Sequence, residues 1–408
     1  MEAEIPMDRE DLYQKISLVN DRRMVLIVLD GLGGLPEDGR TELETARTPN
    51  LDRLARHSEL GLTHPVSLGI TPGSGPAHIA LFGYDPVRYP IGRGILEALG
   101  CDVEVGQNDV AVRGNFATQN GGVITDRRAG RISTEKNREL IAHLRKKIPS
   151  IDEVDIGLFS GEEHRFVLIL RGAGLDDDVT DADPETTGKP IQYAKARSTA
   201  AERTAAVLNT FINRVTEELT EFTPANTCLL RGAAKYPDIP ALRDIFLLKP
   251  AAIAVYPMYR GLAQLVGMDV LQTGTTVSEE IRTLQTHFTH HDFFFLHVKK
   301  TDSYGEDGDF DRKVAVIESF DELLPEILDL KPDVLAITGD HSTPSLLKSH
   351  SWHPNPLLLH SPYVRLHPET AGGFSESTCA RGVLGQFSAR HILPLMMANA
   401  LKFKKYGA

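Results

Sequence analysis

Residues 333–341 read DVLAITGDH, an apolar run that stops at an adjacent carboxylate and imidazole, Asp340 and His341. Two similar runs also stop at aspartates: MVLIVLD, residues 24–30, at Asp30, and DFFFLHVKKTD, residues 292–302, at Asp302. Apolar runs of this length fit strands buried on both faces, as in a parallel sheet covered by helices. In open sheets of that kind the chemistry lies outside the carboxyl ends of the strands, so the three acids are expected to converge on one crevice.

The segments around these runs supply the helices. TPNLDRLARHSELG, residues 48–61, predicts a helix with Thr48 as N-cap, Pro49 at its first position and Gly61 at its end. TVSEEIRTLQTHF, DFFFLHVKK, RKVAVIESFDELLPEIL and DVLAITGD then repeat the helix-strand order that a parallel sheet requires. The predicted fold class is α/β, a mostly parallel sheet core flanked by helices. From roughly 106 to 245 the sequence changes to Gly- and Asp-rich turns such as QNGG and RGAGLDDDVTDADPETTG around HRFVLIL. This stretch predicts an inserted, smaller α+β domain, leaving 1–105 and 246–408 as a discontinuous core. Within it AERTAAVLNTFINRVTEEL reads as a packing helix.

At 408 residues the chain exceeds the usual size of a single hydrophobic core. Hydrophobic residues make up 41% and charged residues 25%, an ordinary globular balance. No apolar stretch approaches the roughly 20 residues of a membrane span. The start, MEAEIPMDRE, is acidic and lacks a signal-peptide core. Cys101, Cys228 and Cys379 are widely spaced with no CxxC pair, which fits reduced packing thiols and a cytoplasmic location. A net charge of -12 argues against a nucleic-acid partner. The exception is a basic run from Arg127 to Lys147. In its second half Leu140, Ile141, Leu144 and Ile148 form an apolar stripe that leaves the lysines on a solvated face. Arg127, Arg128 and Arg131 precede that helix and are better placed to face a ligand.

The turn LGITPGSGPAHIALFGYDP sets Ser74 between two glycines, which permit close approach of a ligand. A serine hydroxyl is a poor nucleophile until a base or metal activates it, so Ser74 gains meaning beside Asp30, Asp302 and Asp340-His341. His350, in KSHSWHPNP, adds a loop imidazole. This oxygen and nitrogen set suits Mn²⁺, Mg²⁺, Zn²⁺ or Co²⁺. It exceeds the needs of one tetrahedral ion, and two ions would bind both the attacking and the leaving oxygen of a phosphoryl displacement.

Taken together, VLDGLGG, GSGPAHIALFGYDP, VRGNFAT, DRRAGR, HVKKTD, TGDHSTP and HSWHPNP resemble the archaeal-type cofactor-independent phosphoglycerate mutases of the alkaline phosphatase superfamily. The resemblance spans nearly the whole chain in order. It implies an alkaline-phosphatase-like core with an inserted substrate-binding domain, and a phosphoserine intermediate that interconverts 3- and 2-phosphoglycerate without a bisphosphoglycerate primer, in glycolysis and gluconeogenesis. Carried over by position, Ser74 is the nucleophile and shares one metal with Asp30, Asp340 and His341. Asp302, His350 and the residue four after Asp302 hold the second. In the family pattern that residue is a histidine; here, in TDSYGEDGD, it is Glu306, which makes the second site harder and more negative. Two divalent ions are implied, Mn²⁺ first, with Mg²⁺, Zn²⁺ and Co²⁺ as alternatives.

A mutase must keep glycerate enclosed while it turns over, and arginine suits a bidentate clamp on its carboxylate. The candidates are Arg113, Arg128, Arg131, Arg165, Arg231 and Arg260, with Arg128, Arg131 and Arg231 favoured. Asp126 and Asp183 are candidate hydroxyl acceptors, and His164 a candidate pocket residue. Alternation along a strand points Lys299 and Lys300 to opposite faces, one of them toward phosphate. His78 is expected to pack or cap locally, and no ligand role falls to His297 or His353. The joins near 106 and 245 are expected to act as hinges. Two rival readings share the nucleophile: a metal-dependent phosphomonoester or phosphodiester hydrolase, and a catalytically impaired metabolite-binding relative suggested by Glu306.

Overall fold

The computed structural model describes residues 8–365 and 372–407; the first seven residues of the acidic start lie outside the described residues. The chain divides into two compact units, Met1–Pro90 with Ile239–Ala408, and Ile91–Asp238.

The larger unit is built on an eight-stranded sheet in the order Asp269–Val270, Pro250–Ala254, Phe293–Val298, Met24–Leu29, Val334–Thr338, Asn355–His360, Glu59–His64 and Gly385–Ser388. The first five of these strands run parallel, while Asn355–His360 pairs antiparallel with both of its neighbours. This is the mixed, mostly parallel α/β arrangement that the apolar runs predict. Every residue of Met24–Leu29, Phe293–Val298 and Val334–Thr338 is buried, because helices such as Val277–His287 and Phe310–Leu328 cover the sheet. Their apolar faces, Ile281 and Leu284 and then Ile317, Phe320 and Leu324, join Val25, Ile27, Leu296 and Ile337 in one core. Register decides the site. Leu29 pairs with Val298 and Val28 with Thr338, so the segments after the three strands leave the sheet at the same edge.

Two local expectations differ from the structure. The helix that starts at Pro49 ends at Ala55, and Glu59–His64 is a strand with all six residues buried. Leu60 and Leu62 enter the sheet between Asn355–His360 and Gly385–Ser388, and this pairing overrides the helical reading of residues 59–61. Thr48 holds the N-cap position, but its side chain makes no capping hydrogen bond. Alternation does not govern Lys299 and Lys300 either: the strand stops at Val298, and Lys299 is the N-cap of the helix Lys300–Asp307.

The smaller unit is a six-stranded antiparallel sheet. Val110–Asn120 pairs with Val123–Asp126, Arg165–Arg171 and Thr227–Lys235, and the sheet continues through Val154–Ser160 to Ser150–Ile151. Helices Thr134–Lys147 and Glu202–Glu218 close its core, burying Leu140, Ile141 and Leu144 from one and Val207, Leu208, Phe211 and Ile212 from the other. The stripe and the packing helix read from the sequence are both present, with Lys146 and Lys147 exposed. Cys228 and Cys379 are buried free thiols whose pKa burial raises, as expected of packing residues. Among the described residues no helix is long and apolar enough to cross a membrane.

Candidate metal centre

Ser74 is the first residue of the helix Ser74–Leu81, with Gly73 as its extended N-cap. It therefore stands where unpaired backbone N–H groups and the positive end of the helix favour negative charge. Its Oγ lies 3.4 Å from His341 Nε2. That nitrogen is 3.1 Å from Asp340 Oδ2 and 3.4 Å from Asp30 Oδ1, so one imidazole edge faces two carboxylates and the hydroxyl. Asp30, Asp340 and His341 are wholly buried and bring their donor atoms within 4.8 Å of one another. The Gly31 N–H donates to Asp340 Oδ1 at 3.0 Å and aims the other oxygen inward.

A second group adjoins the first. Asp302, His341 and His350 bring donor atoms within 4.8 Å, so His341 belongs to both groups. His350 Nε2 is 3.6 Å from Asp302 Oδ1 and 3.7 Å from Glu306 Oε1. Glu306 is half exposed and follows Asp302 by one turn of the same helix, which places both carboxylates on one face. Burial, and then the Asp302 charge, raise its pKa.

The electrostatics suit a cation. Asp30 Oδ1, Asp30 Oδ2 and Asp340 Oδ2 are buried oxygens without a hydrogen-bond partner among the described residues, an arrangement that is costly unless a positive charge satisfies it. His297 Nε2 and Lys299 Nζ approach Asp30 Oδ2 at 3.2 and 3.1 Å, but without hydrogen-bond geometry. Burial raises the Asp30 pKa, yet the His297 contact and the Lys299 charge outweigh it and hold the carboxyl well below its usual range. Asp340 goes the other way, raised by burial and by the Asp30 and Asp302 charges. Burial lowers His341 well below the ordinary imidazole value, which keeps its ring neutral and able to ligate. Buried carboxylates and neutral imidazoles, with a serine hydroxyl, form a hard donor set that fits divalent ions such as Mn²⁺ or Mg²⁺.

Further groups surround this centre, among them Tyr259, which sequence reading passed over, and His297, to which it gave no ligand role. His297 sits against Asp30, Tyr259 stacks on His297 with centroids 3.7 Å apart, and the Tyr259 hydroxyl accepts from Lys299 Nζ at 3.1 Å. Lys299 also pairs closely with Asp302, so its ammonium bridges Asp30 and Asp302. Lys300 is exposed. His78 Nδ1 meets Ser74 O one turn back, the local contact expected of it, and also lies 3.4 Å from Asp340 Oδ2. Tyr259 carries no signal in the sequence, since nothing in YPMYRGLAQL marks one ring over the other.

In the smaller unit Arg113 and Arg231 are direct cross-strand partners. Like charges placed opposite one another repel, and the Nε atoms of both are buried without a hydrogen-bond partner among the described residues. Arg165 and Arg93 lie near enough for their charges to act on Arg113. Glu97 at 3.5 Å from Arg113, and Asp181 and Asp183 at 3.6 Å from Arg231, compensate in part. Arg93, which sequence reading passed over, opens the helix Arg93–Gly100. Arg128 is exposed, and Arg131 is exposed and 3.9 Å from Glu163. Asp126 accepts the backbone N–H groups of Arg128 and Gly130, and Asp183 accepts two hydrogen bonds from Arg127, so both carboxylates are engaged locally. His164 is buried, with a pKa lowered by burial and then by Arg165. Arg260 lies on the helix Pro257–Leu265 of the larger unit, not on the inserted one.

Comparison with known proteins adds a family to this geometry. The family model for 2,3-bisphosphoglycerate-independent phosphoglycerate mutase matches residues 55–225. A probable 2,3-bisphosphoglycerate-independent phosphoglycerate mutase of Thermotoga neapolitana is 52% identical over 402 residues, covering 98% of this chain and 100% of that protein. One of Aquifex aeolicus is 53% identical over 408 residues, with the same coverage of each. Among solved structures, the cofactor-independent phosphoglycerate mutase of Thermoplasma acidophilum superimposes with a TM-score of 0.75 at 31% identity, over 93% of this chain and 100% of that one.

Proposed function

Because this chain belongs to the 2,3-bisphosphoglycerate-independent phosphoglycerate mutase family, we propose that it interconverts 3-phosphoglycerate and 2-phosphoglycerate through a phosphoserine on Ser74. The observation that carries the reading is Ser74 at a helix N-terminus, 3.4 Å from His341 Nε2 and beside two wholly buried aspartates. Asp30, Ser74, Asp340 and His341 would hold one divalent ion, and Asp302, Glu306 and His350 the other. When bound, such ions lower the pKa of a ligating hydroxyl and neutralise charge on phosphoryl oxygens.

Ser74 Oγ gives up its proton and forms a bond to phosphorus as the C3 oxygen of glycerate leaves and takes up a proton. The helix N-terminus stabilises the negative charge that gathers at Oγ. Glycerate then turns over, and its C2 hydroxyl gives up its proton and bonds to phosphorus as the bond from phosphorus to Ser74 Oγ breaks and Oγ takes a proton back. Lys299, held by Asp30 and Asp302, keeps an ammonium among the carboxylates; burial opposes the charged form, but the two acids raise its pKa above the ordinary value. For the glycerate carboxylate we assign Arg113, Arg165 and Arg231 of the smaller unit, with Arg128, Arg131 and His164 as further substrate-side groups. Two unsatisfied guanidinium Nε atoms on paired strands support an anion there.

The test is a coupled assay for 2-phosphoglycerate formed from 3-phosphoglycerate without added bisphosphoglycerate, on chelator-treated protein resupplied with Mn²⁺, Mg²⁺ or Zn²⁺. Metal-dependent turnover that Ser74→Ala abolishes is the expected result. Release of inorganic phosphate in place of 2-phosphoglycerate would make the protein a hydrolase.

A further inference from the structure

The Thr343 hydroxyl stands between the two donor groups. Its Oγ1 donates to Asp302 Oδ1 at 2.6 Å and lies 2.9 Å from His341 Nδ1. A hydroxyl has one proton and a carboxylate can only accept, so the proton is committed to Asp302. The contact to His341 then has to run the other way, with Nδ1–H donating to Thr343 Oγ1. That leaves His341 Nε2 with its lone pair free, on the ring edge facing Asp30, Asp340 and Ser74.

The surrounding chain holds this one side chain in place. Thr343 N–H reaches Gly31 O at 3.3 Å and Gly33 O at 3.1 Å. Thr343 O accepts from the wholly buried Lys313 Nζ at 2.8 Å; the same ammonium reaches Gly33 O at 3.2 Å and pairs with Glu42 at 3.3 Å. Space is equally constrained. A Cβ on Gly31 would come within 2.6 Å of Thr343 Oγ1, and one on Gly305 within 2.3 Å of Thr343 O. Gly31 also has a φ of +65°, where side chains are disfavoured. Two glycines, in VLDGLGG and TDSYGEDGD, thus leave room for a threonine in TGDHSTP.

We propose that Thr343 is a positioning residue that fixes the Nδ1–H tautomer of His341 and ties it to Asp302, so that the two donor groups assemble as one unit. The inference rests on the metal-site reading above. Outer partners that orient a ligating histidine are typically worth about 10- to 100-fold in metal affinity.

The test compares Thr343→Val, which keeps the shape and removes the hydroxyl, with Thr343→Ser, which keeps the hydroxyl. Free Mn²⁺ is followed by electron paramagnetic resonance during titration of chelator-stripped protein, and the His341 tautomer by nitrogen-15 chemical shifts of labelled histidines in the same metal-free samples. Roughly 10- to 100-fold weaker Mn²⁺ binding and loss of the pure Nδ1–H form in Thr343→Val, with both restored in Thr343→Ser, is the expected result. Wild-type Mn²⁺ affinity in a folded Thr343→Val, or a wild-type His341 protonated on Nε2, would overturn the proposal. If Thr343→Val does not fold, the wild-type tautomer and the Thr343→Ser titration still decide it. A wild type that binds no Mn²⁺ sinks the metal-site reading instead, and the tautomer measurement then judges the Thr343 bridge separately.

Discussion

The His350 ring stacks on the His341 ring, with centroids 3.6 Å apart and planes 24° from parallel. His350 Nδ1 lies 2.9 Å from Pro72 O, and since a carbonyl only accepts, Nδ1 carries the proton and Nε2 is left free beside Asp302 and Glu306. The contact also ties the segment just before Ser74 to the second donor group. His350→Ala removes a ligand and is expected to weaken Mn²⁺ binding at one of two sites by more than the roughly 10- to 100-fold that loss of an outer partner costs, while sparing the other, which isothermal titration calorimetry would show as a split in the isotherm. Equal loss at both sites would contradict the division of ligands.

Removing the nucleophile separates chemistry from metal binding. Ser74→Ala should lower kcat by about 10³-fold or more, with no radiolabelled phosphoenzyme after mixing with phosphorus-32 substrate. Metal content by mass spectrometry should stay close to wild type, because Asp30, Asp340 and His341 remain.

Glu306 sets the character of the second group. Glu306→His replaces an anionic oxygen donor by a neutral nitrogen donor, and the ratio of Zn²⁺ to Mg²⁺ affinity should rise. Competition titrations on stripped protein check this; an unchanged ratio would mean that Glu306 does not ligate.

The paired arginines of the smaller unit predict a substrate effect. Arg231→Lys keeps the charge but loses the planar fork, so KM for 3-phosphoglycerate should rise roughly 10- to 100-fold, the size of a lost charge-assisted hydrogen bond. Steady-state kinetics would show it, and the melting temperature should move little, since the positive charge opposite Arg113 and beside Asp181 and Asp183 is kept.

Away from the centre, Glu280 gives a pH signature. It is buried on the helix Val277–His287 with Oε1 unpartnered among the described residues, and burial raises its pKa from 4.5 to about 8. Between those values the folded protein holds a proton that the unfolded chain has released. Stability therefore falls as pH rises through that window, with a slope approaching 1.4 kcal/mol per pH unit, about the limit for one group. Glu280→Gln should flatten this part of the curve of melting temperature against pH; an unaltered slope would exclude Glu280 as its source.

Much was legible in the chain itself. Runs such as MVLIVLD and DVLAITGD have the length and composition of strands buried on both sides, and the order of helices between them fits parallel connections, so local patterning determined the α/β core. The ordered motifs from VLDGLGG to HSWHPNP likewise determined the family, because a long ordered set of weak matches is specific where each one alone is not. Tertiary structure decided the rest. Strand register brings Asp30, Asp340 and the turn before Asp302 to one edge, and sheet pairing makes residues 59–61, read as the end of a helix, the start of a strand, because both depend on partners hundreds of residues away. Which hydroxyl, ring or ammonium packs against the carboxylates, and hence the places of Thr343, Tyr259, His297, Lys299 and Lys313, depends on side-chain directions that periodicity does not encode.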